Sequence, residues 1–292
     1  NYGYARLLEV LEPSPVRCTP RCEFARQCGG CQLQAMTYEA QLDFKAKKVW
    51  NHLTRIGGLT DLAVPEIIGM EDPWRYRNKA QFPFGTDKEG NVVTGFYAAR
   101  SHNIIPCTEC WLGVEENREI LEKILAHLKK FRIPAYDEKT GKGLLRHVLV
   151  RTGYMTGQIM VVLVVSSPIF PSKNNFVKVL RAQHPEISTV VLNVNDRKTS
   201  MVLGPRNITL YGKGYIEDRL CGCMFRISPT SFYQINPVQT EKLYKTAMML
   251  ARLNKRNVVV DAYCGIGTIG MVAAKTVKEV IGLELNAEAV RD

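Results

Sequence analysis

The chain has 292 residues, about twice the ~150 typical of one domain, so two or three domains are expected. Hydrophobic residues make up 46% and charged residues 23%, which excludes a disordered or collagen-like chain. Lys and Arg outnumber Asp and Glu by 39 to 28, a formal charge of +11. That excess suits a polyanionic partner, nucleic acid first and an anionic membrane surface second. The longest apolar stretch, 159–165, is far below the ~18 residues of a spanning helix. No charged segment followed by an apolar one marks a secretory signal, so no membrane anchor and a cytoplasmic location are expected. The chain opens on Asn1 rather than Met and stops at Asp292 as an α/β unit begins, so it reads as a piece cut at both ends.

Residues 1–13 read as the end of a β element stopped by Pro13 and Pro15. A compact Cys/Gly segment, 22–31, follows. A helix is predicted over 37–56, capped by Thr37 and stopped by Gly57-Gly58, with Leu42, Val49, Leu53 and Ile56 at helical spacing. Strands are predicted at 81–84 and 92–97 around a Lys88–Asn91 turn, and at 145–154 and 158–165 as a hairpin around Gly153 and Gly157. Helices at 114–131 and 174–183 punctuate them, and strands follow at 189–195, 208–211 and 223–227. This middle region reads as an α+β domain. Pro237 opens a helix to about 253, with proline in the favourable first turn. Then come a short apolar strand at 257–261, a Gly-rich loop, a helix at 268–275 and a strand at 279–284. Strand, loop, helix, strand is one βαβ unit, the start of a parallel doubly wound sheet.

Gly265-Ile-Gly267-Thr-Ile-Gly270 matches G-x-G-x-x-G, with acidic Glu284 nineteen positions past Gly265. Such a loop offers a tight turn, close backbone approach and a carboxylate for ribose hydroxyls, and by itself admits both a dinucleotide and S-adenosylmethionine. Asp261, at the strand end, favours the second. A carboxylate there repels a pyrophosphate and attracts the ammonium of a methionine moiety. A loop whose glycines serve only helix–strand packing is the plainer reading.

Nine cysteines, an odd number, lie at 18, 22, 28, 31, 107, 110, 221, 223 and 264. The pairs Cys28/Cys31 and Cys107/Cys110 have zinc-site spacing. With Cys22 added, three close thiols and a distant one equally suit an iron–sulfur cluster, and spacing leaves the two open beside a set of unconnected buried thiols. Arg75, Arg77 and Lys79 alternate; on a strand they share one face, a phosphate-binding stripe beside Trp74 and Tyr76 for base stacking. Arg100, His102, Arg146, His147 and Arg151 extend it, unless the stripe is only a solvated basic face.

Taken together, Glu12-Pro-Ser-Pro, Pro20-Arg-Cys22, Cys28-Gly-Gly-Cys31-Gln-Leu-Gln34, Tyr76-Arg-Asn-Lys79, Ser228-Pro-Thr-Ser-Phe-Tyr-Gln234-Ile-Asn236-Pro and Asp261-Ala-Tyr-Cys-Gly-Ile-Gly-Thr268 resemble the RNA uracil-5-methyltransferase family. The resemblance is to its iron–sulfur branch, which includes the bacterial 23S rRNA enzymes. It implies an α/β and α+β multidomain fold. Residues 1–14 would end an N-terminal TRAM β-barrel. Residues 15–230 would be a mixed central domain with a 4Fe–4S cluster, its stretch 41–72 placed against the methyltransferase domain. Residues 231–292 would start a Rossmann-like S-adenosylmethionine methyltransferase domain. Cys22, Cys28, Cys31 and a later cysteine, by position Cys110 with Cys107 as a departure, are implied as cluster ligands. Gln234, Tyr263 and Glu284 are implied as donor contacts, joined by Asp261, Gly265 and Thr268 from the loop; Gln234 on its own is only a loop glutamine.

In this family a cysteine adds to uracil carbon 6, carbon 5 takes the methyl group, and a carboxylate base removes the carbon-5 proton. The resemblance places both residues beyond Asp292 and leaves Cys264 as a packing residue, so this chain is expected not to methylate by itself. The implied activity is 5-methyluridine formation in 23S rRNA, on a loop or bulge uridine swung out of its stack. A tRNA T-loop uridine is the competing substrate. A non-catalytic RNA-binding iron–sulfur module and an NAD-dependent oxidoreductase with a zinc site are the readings from other classes.

Overall fold

The computed structural model describes residues 3–292. They divide into two compact units, one running up to Asp72 together with Ala98–Ser101, the other comprising Pro73–Tyr97 and His102–Asp292.

The first unit is mostly turns around one helix, α1 (Tyr38–Asn51). Thr37 caps it as the sequence predicts, its hydroxyl accepting from Ala40 N at 3.4 Å. The helix runs on as one wider π turn, His52–Ile56, closed by Gly57 N donating to His52 O. Val49, Leu53 and Ile56 are exposed within this unit, so the predicted apolar face is not buried there. Among the described residues of the segment 1–13, the expected strand is not formed. Residues 1 and 2 lie outside the described residues, and 3–10 have no regular structure. No neighbouring strand pairs with this segment, and a lone strand leaves its backbone groups without ladder partners.

The second unit is built on a seven-stranded mixed sheet. In chain order its elements are β1 (Lys79–Thr86), β2 (Val92–Tyr97), β3 (Ile104–Pro106), α2 (Glu116–Lys130), β4 (Leu145–Thr152), β5 (Ile159–Val165), α3 (Lys173–Gln183), β6 (Ile187–Val194) and β7 (Arg206–Tyr211). The spatial order is β3-β2-β1-β4-β5-β6-β7. All neighbours are antiparallel except β5 and β6, the pair joined through α3. The β1/β2 and β4/β5 hairpins read from the sequence are both present.

The sheet is covered on both faces, which explains why β5 is wholly buried. Val148, Val150, Val161 and Leu163 pack with Ile120, Ile124 and Leu180 from α2 and α3. Side chains alternate across a strand, so Leu149, Met160 and Val162 face a second core. There they meet Ile216, Phe225 and Ile227 of the hairpin β8 (Ile216–Leu220) and β9 (Cys223–Ile227). Tyr233, Tyr244 and Ile266 complete this second core.

The last elements are α4 (Pro237–Ala251), β10 (Val258–Asp261), α5 (Thr268–Ala274), β11 (Glu279–Gly282) and α6 (Ala287–Arg291). β10 and β11 pair in parallel through α5, the βαβ unit the sequence predicts. Ile266 fixes its loop to the second core, so residues 231–292 pack in the same unit as the large sheet. Among the described residues no helix is long and apolar enough to cross a membrane.

Candidate active site

The glycine loop owes its shape to two backbone positions. Gly265 (φ 56°) and Gly267 (φ 76°) are left-handed, a conformation in which a side chain is strained. Gly270 serves packing instead, since a Cβ there would lie 3.1 Å from Val280 Cγ1 and 3.5 Å from Asp261 Oδ2. Helix and strand thus approach closely beside the Asp261 carboxylate, at the carboxyl end of β10. Thr268 opens α5.

Glu284 follows β11 and reaches back to the loop, its carboxylate accepting from Gly265 N at 3.0 Å and Asn286 N at 2.7 Å. Those two N–H donors hold its carboxyl below the usual range. Two carboxylates therefore flank the loop, an unfavourable setting for a pyrophosphate and a favourable one for an ammonium and ribose hydroxyls. Tyr263 projects from the loop, 95% exposed.

Cys264 is poorly suited to act as a nucleophile. Its Sγ lies 3.0 Å from where a Cβ on Gly282 would be, and burial with Asp261 and Glu284 nearby pushes its thiol pKa up. It packs against Gly282 beneath the loop.

Gln234 comes to this site through a residue the sequence reading missed. Tyr244, on the buried face of α4, hydrogen-bonds Thr268 Oγ1 at 2.7 Å and the Gln234 side chain. The signal for it was present, because Pro237, Thr240 and Tyr244 recur at helical spacing and are the buried positions of α4. The structure thus brings Gln234, Asp261, Gly265, Thr268 and Glu284 into one neighbourhood.

The other side of the Ser228–Gln234 loop is tied to basic residues. Asn78 is buried; its Nδ2 donates to Gln234 O at 3.0 Å and its N to Ile235 O at 3.0 Å. Arg151 donates to Ser231 O. Lys79 and Arg151 stand directly opposite on β1 and β4, an arrangement of like charges that costs stability. Burial, then Arg151 and Arg77, lower the Lys79 pKa, and burial lowers that of Arg151 to about 10.

The predicted Arg75–Lys79 stripe is corrected in its geometry. The strand begins only at Lys79, and Arg75 is left-handed at φ 52°. Its guanidinium donates to Cys110 O and Gly113 O, pairs with Glu109 and lies over Trp111. Trp74 and Tyr76 are half-buried. Arg146, His147 and Arg151 are buried rather than surface extensions, at 4%, 8% and 4% exposure, because β4 is covered on both faces. Arg100 and His102 are exposed.

Cys22, Cys28 and Cys31 are half-buried on turns of the first unit. Gly30 N donates to Cys28 Sγ at 3.4 Å, the type of backbone contact that stabilises a thiolate. In the second unit, Cys107 donates its thiol to Glu109 O at 2.7 Å, and Cys110 lies three residues on. Among the described residues no three His, Cys, Asp or Glu side chains are grouped to hold a metal ion.

No family model matches the chain. An uncharacterized RNA methyltransferase of Staphylococcus epidermidis is 42% identical over 292 residues, all of this chain and 64% of that protein. One from Clostridium tetani is 44% identical over 290 residues, 99% of this chain and 63% of that protein. The chain is a homologue of RNA methyltransferases. It spans a little under two thirds of the length of these curated relatives. Among solved structures, the Pyrococcus abyssi tRNA (uracil-54, C5)-methyltransferase in complex with S-adenosyl-L-homocysteine matches with a TM-score of 0.75 and 26% identity. That match covers 97% of this chain and 63% of the other.

Proposed function

We propose that the chain belongs to an enzyme that transfers the methyl group of S-adenosylmethionine to uracil carbon 5 in RNA, with 23S rRNA as substrate. One observation carries this reading. The Ser228–Gln234 loop is fastened on one side to a donor-type glycine loop, through Tyr244 and Thr268, and on the other to a cluster of cations, through Asn78 and Arg151. A methyl donor and a phosphate backbone can thus be held by one unit.

S-adenosylmethionine supplies the methyl group when bound. Asp261 would attract its ammonium, Glu284 would accept from the ribose hydroxyls, and Gly265 allows close approach. Gln234, oriented by Tyr244, and Tyr263 would complete the contacts. Arg77 and Lys79 would neutralise phosphate, which also accounts for the retention of like charges opposite each other. Arg75, committed to Glu109, would act by shaping this segment. The expected ligands of a 4Fe–4S cluster are Cys22, Cys28, Cys31 and Cys110. Thiols are the donor chemistry such a group takes, Gly30 N already donates to the Cys28 sulfur, and Cys107 donates its own thiol to Glu109 O. A cytoplasmic enzyme acting on a loop or bulge uridine follows from the same reading, as does an N-terminal TRAM barrel ending near residue 14.

The test is nucleoside analysis of separately purified 23S rRNA and tRNA from cells with and without the gene. Loss of 5-methyluridine from 23S rRNA alone is expected. Loss from tRNA alone would favour the T-loop reading, which the Pyrococcus abyssi match supports, and no loss from either would refute the proposal.

A further inference from the structure

A second cleft, of about 340 Å³, opens at the far end of β4, and Arg146 and His147 both line it. Consecutive strand residues ordinarily point to opposite faces. Here the β4/β5 register breaks between Leu145 and His147, and such a bulge re-aims a side chain, often beside a site. Arg146 lies over the Tyr136 ring at 4.3 Å and fastens the 195–199 loop by donating to Asn195 O and Arg197 O at 2.9 and 2.8 Å. Tyr97 and Lys198 line the cleft with Tyr136 and Glu138. His147 is 8% exposed, yet its Nδ1 has no hydrogen-bond partner. A buried polar atom left unpaired is costly and calls for explanation.

We propose that this cleft binds a nucleobase of the RNA strand, one distinct from the uridine that is methylated. The inference rests on the RNA reading above. The chemistry of the walls selects the ligand. Tyr97, with His102 beside it at 5.2 Å, offers apolar ring surface for a planar group, and Tyr136, buried under Arg146, backs it. Burial, with Arg146 beside it, pushes the His147 pKa down to about 4, so the imidazole is neutral near pH 7; Nδ1 is enclosed by the protein, which leaves Nε2 as the ring nitrogen for a ligand. Glu138, which has His102 Nδ1 at 3.2 Å from one oxygen, accepts, and exposed Lys198 donates, while Arg146 is committed to the 195–199 loop. A phosphate offers acceptors only and leaves Glu138 unmatched, while a base edge carries both donors and acceptors. Arg146 and Arg151 are five residues apart along β4, about 17 Å, so this cleft is separate from the cations that fasten the Ser228–Gln234 loop.

The test is fluorescence anisotropy with labelled single-stranded 12-mers of A, C and U, using the wild type, His147→Phe and Lys198→Glu. Lys198 is exposed, so its variant keeps the fold even if His147→Phe does not. The wild type should prefer one base. His147→Phe should flatten that preference, and Lys198→Glu should weaken the preferred 12-mer about tenfold, within the range of one stacked base. An unchanged preference and affinity in both folded variants would overturn the proposal while leaving the RNA reading intact. Failure of the wild type to bind any 12-mer would remove the RNA reading and this site with it. Micromolar binding of a free 5′-mononucleotide that does not compete with RNA would identify a small-molecule site instead and equally overturn the proposal.

Discussion

Tyr244→Phe isolates the link between Gln234 and the glycine loop. Tyr244 is 1% exposed, and its ring sits in the second core, so phenylalanine keeps the packing and removes only the hydroxyl. That deletes the 2.7 Å bond to Thr268 Oγ1 and the bond to the Gln234 side chain. Two hydrogen bonds of about 1 kcal/mol each, or a somewhat larger penalty if a partner is stranded, give a loss of about 2 kcal/mol. For a unit of this size that corresponds to a fall in melting temperature of about 4–8 °C. Thr268→Val should share part of the loss, with a coupling of about 1 kcal/mol in a double-mutant cycle. Urea unfolding at unchanged m-value measures both. Additive losses, or a Tyr244→Phe variant as stable as the wild type, would refute the linkage and the orientation of Gln234 that depends on it.

Acid should weaken the second unit through His147. Its folded pKa, about 4, lies below the ordinary 6.5, so stability is fully present above pH 6.5 and declines toward pH 4, by up to about 3 kcal/mol. Urea midpoints across that window check this, and His147→Gln should flatten the slope. Gly95→Ala would place a Cβ 1.9 Å from Ile105 O, forcing β2 and β3 apart. A loss of about 2 kcal/mol or more is expected by thermal melting. In anaerobically purified protein, Cys110→Ser should lose most of roughly four irons and four sulfides per chain, whereas Cys107→Ser should keep them. The opposite pattern would exchange their roles.

The sequence was most informative where local chemistry decides structure. Thr37 caps α1, Gly153 and Gly157 turn the β4/β5 hairpin, and Pro237 opens α4. The glycine loop was legible because only glycine suits Gly265 and Gly267. Tertiary packing hid the rest. Leu145-Arg-His-Val-Leu-Val-Arg-Thr152 reads as a strand with a wet basic edge, yet the sheet is covered on both faces and buries both arginines. Arg75 looked like part of a periodic stripe, but its left-handed backbone and its ion pair with Glu109 depend on residues more than thirty positions away. β3 and β8, which the sequence reading lacks, are short and have little period of their own. Tyr244 could be read only as a core position until Thr268 and Gln234 were placed beside it.

The most direct measurement of the central claim is release of tritium from RNA labelled at uracil carbon 5, followed alongside methyl incorporation from S-adenosylmethionine by the full-length protein. Transfer to carbon 5 expels that hydrogen, so one tritium should be released per methyl group incorporated. Methyl incorporation without tritium release would place the methyl group on another atom and contradict the account.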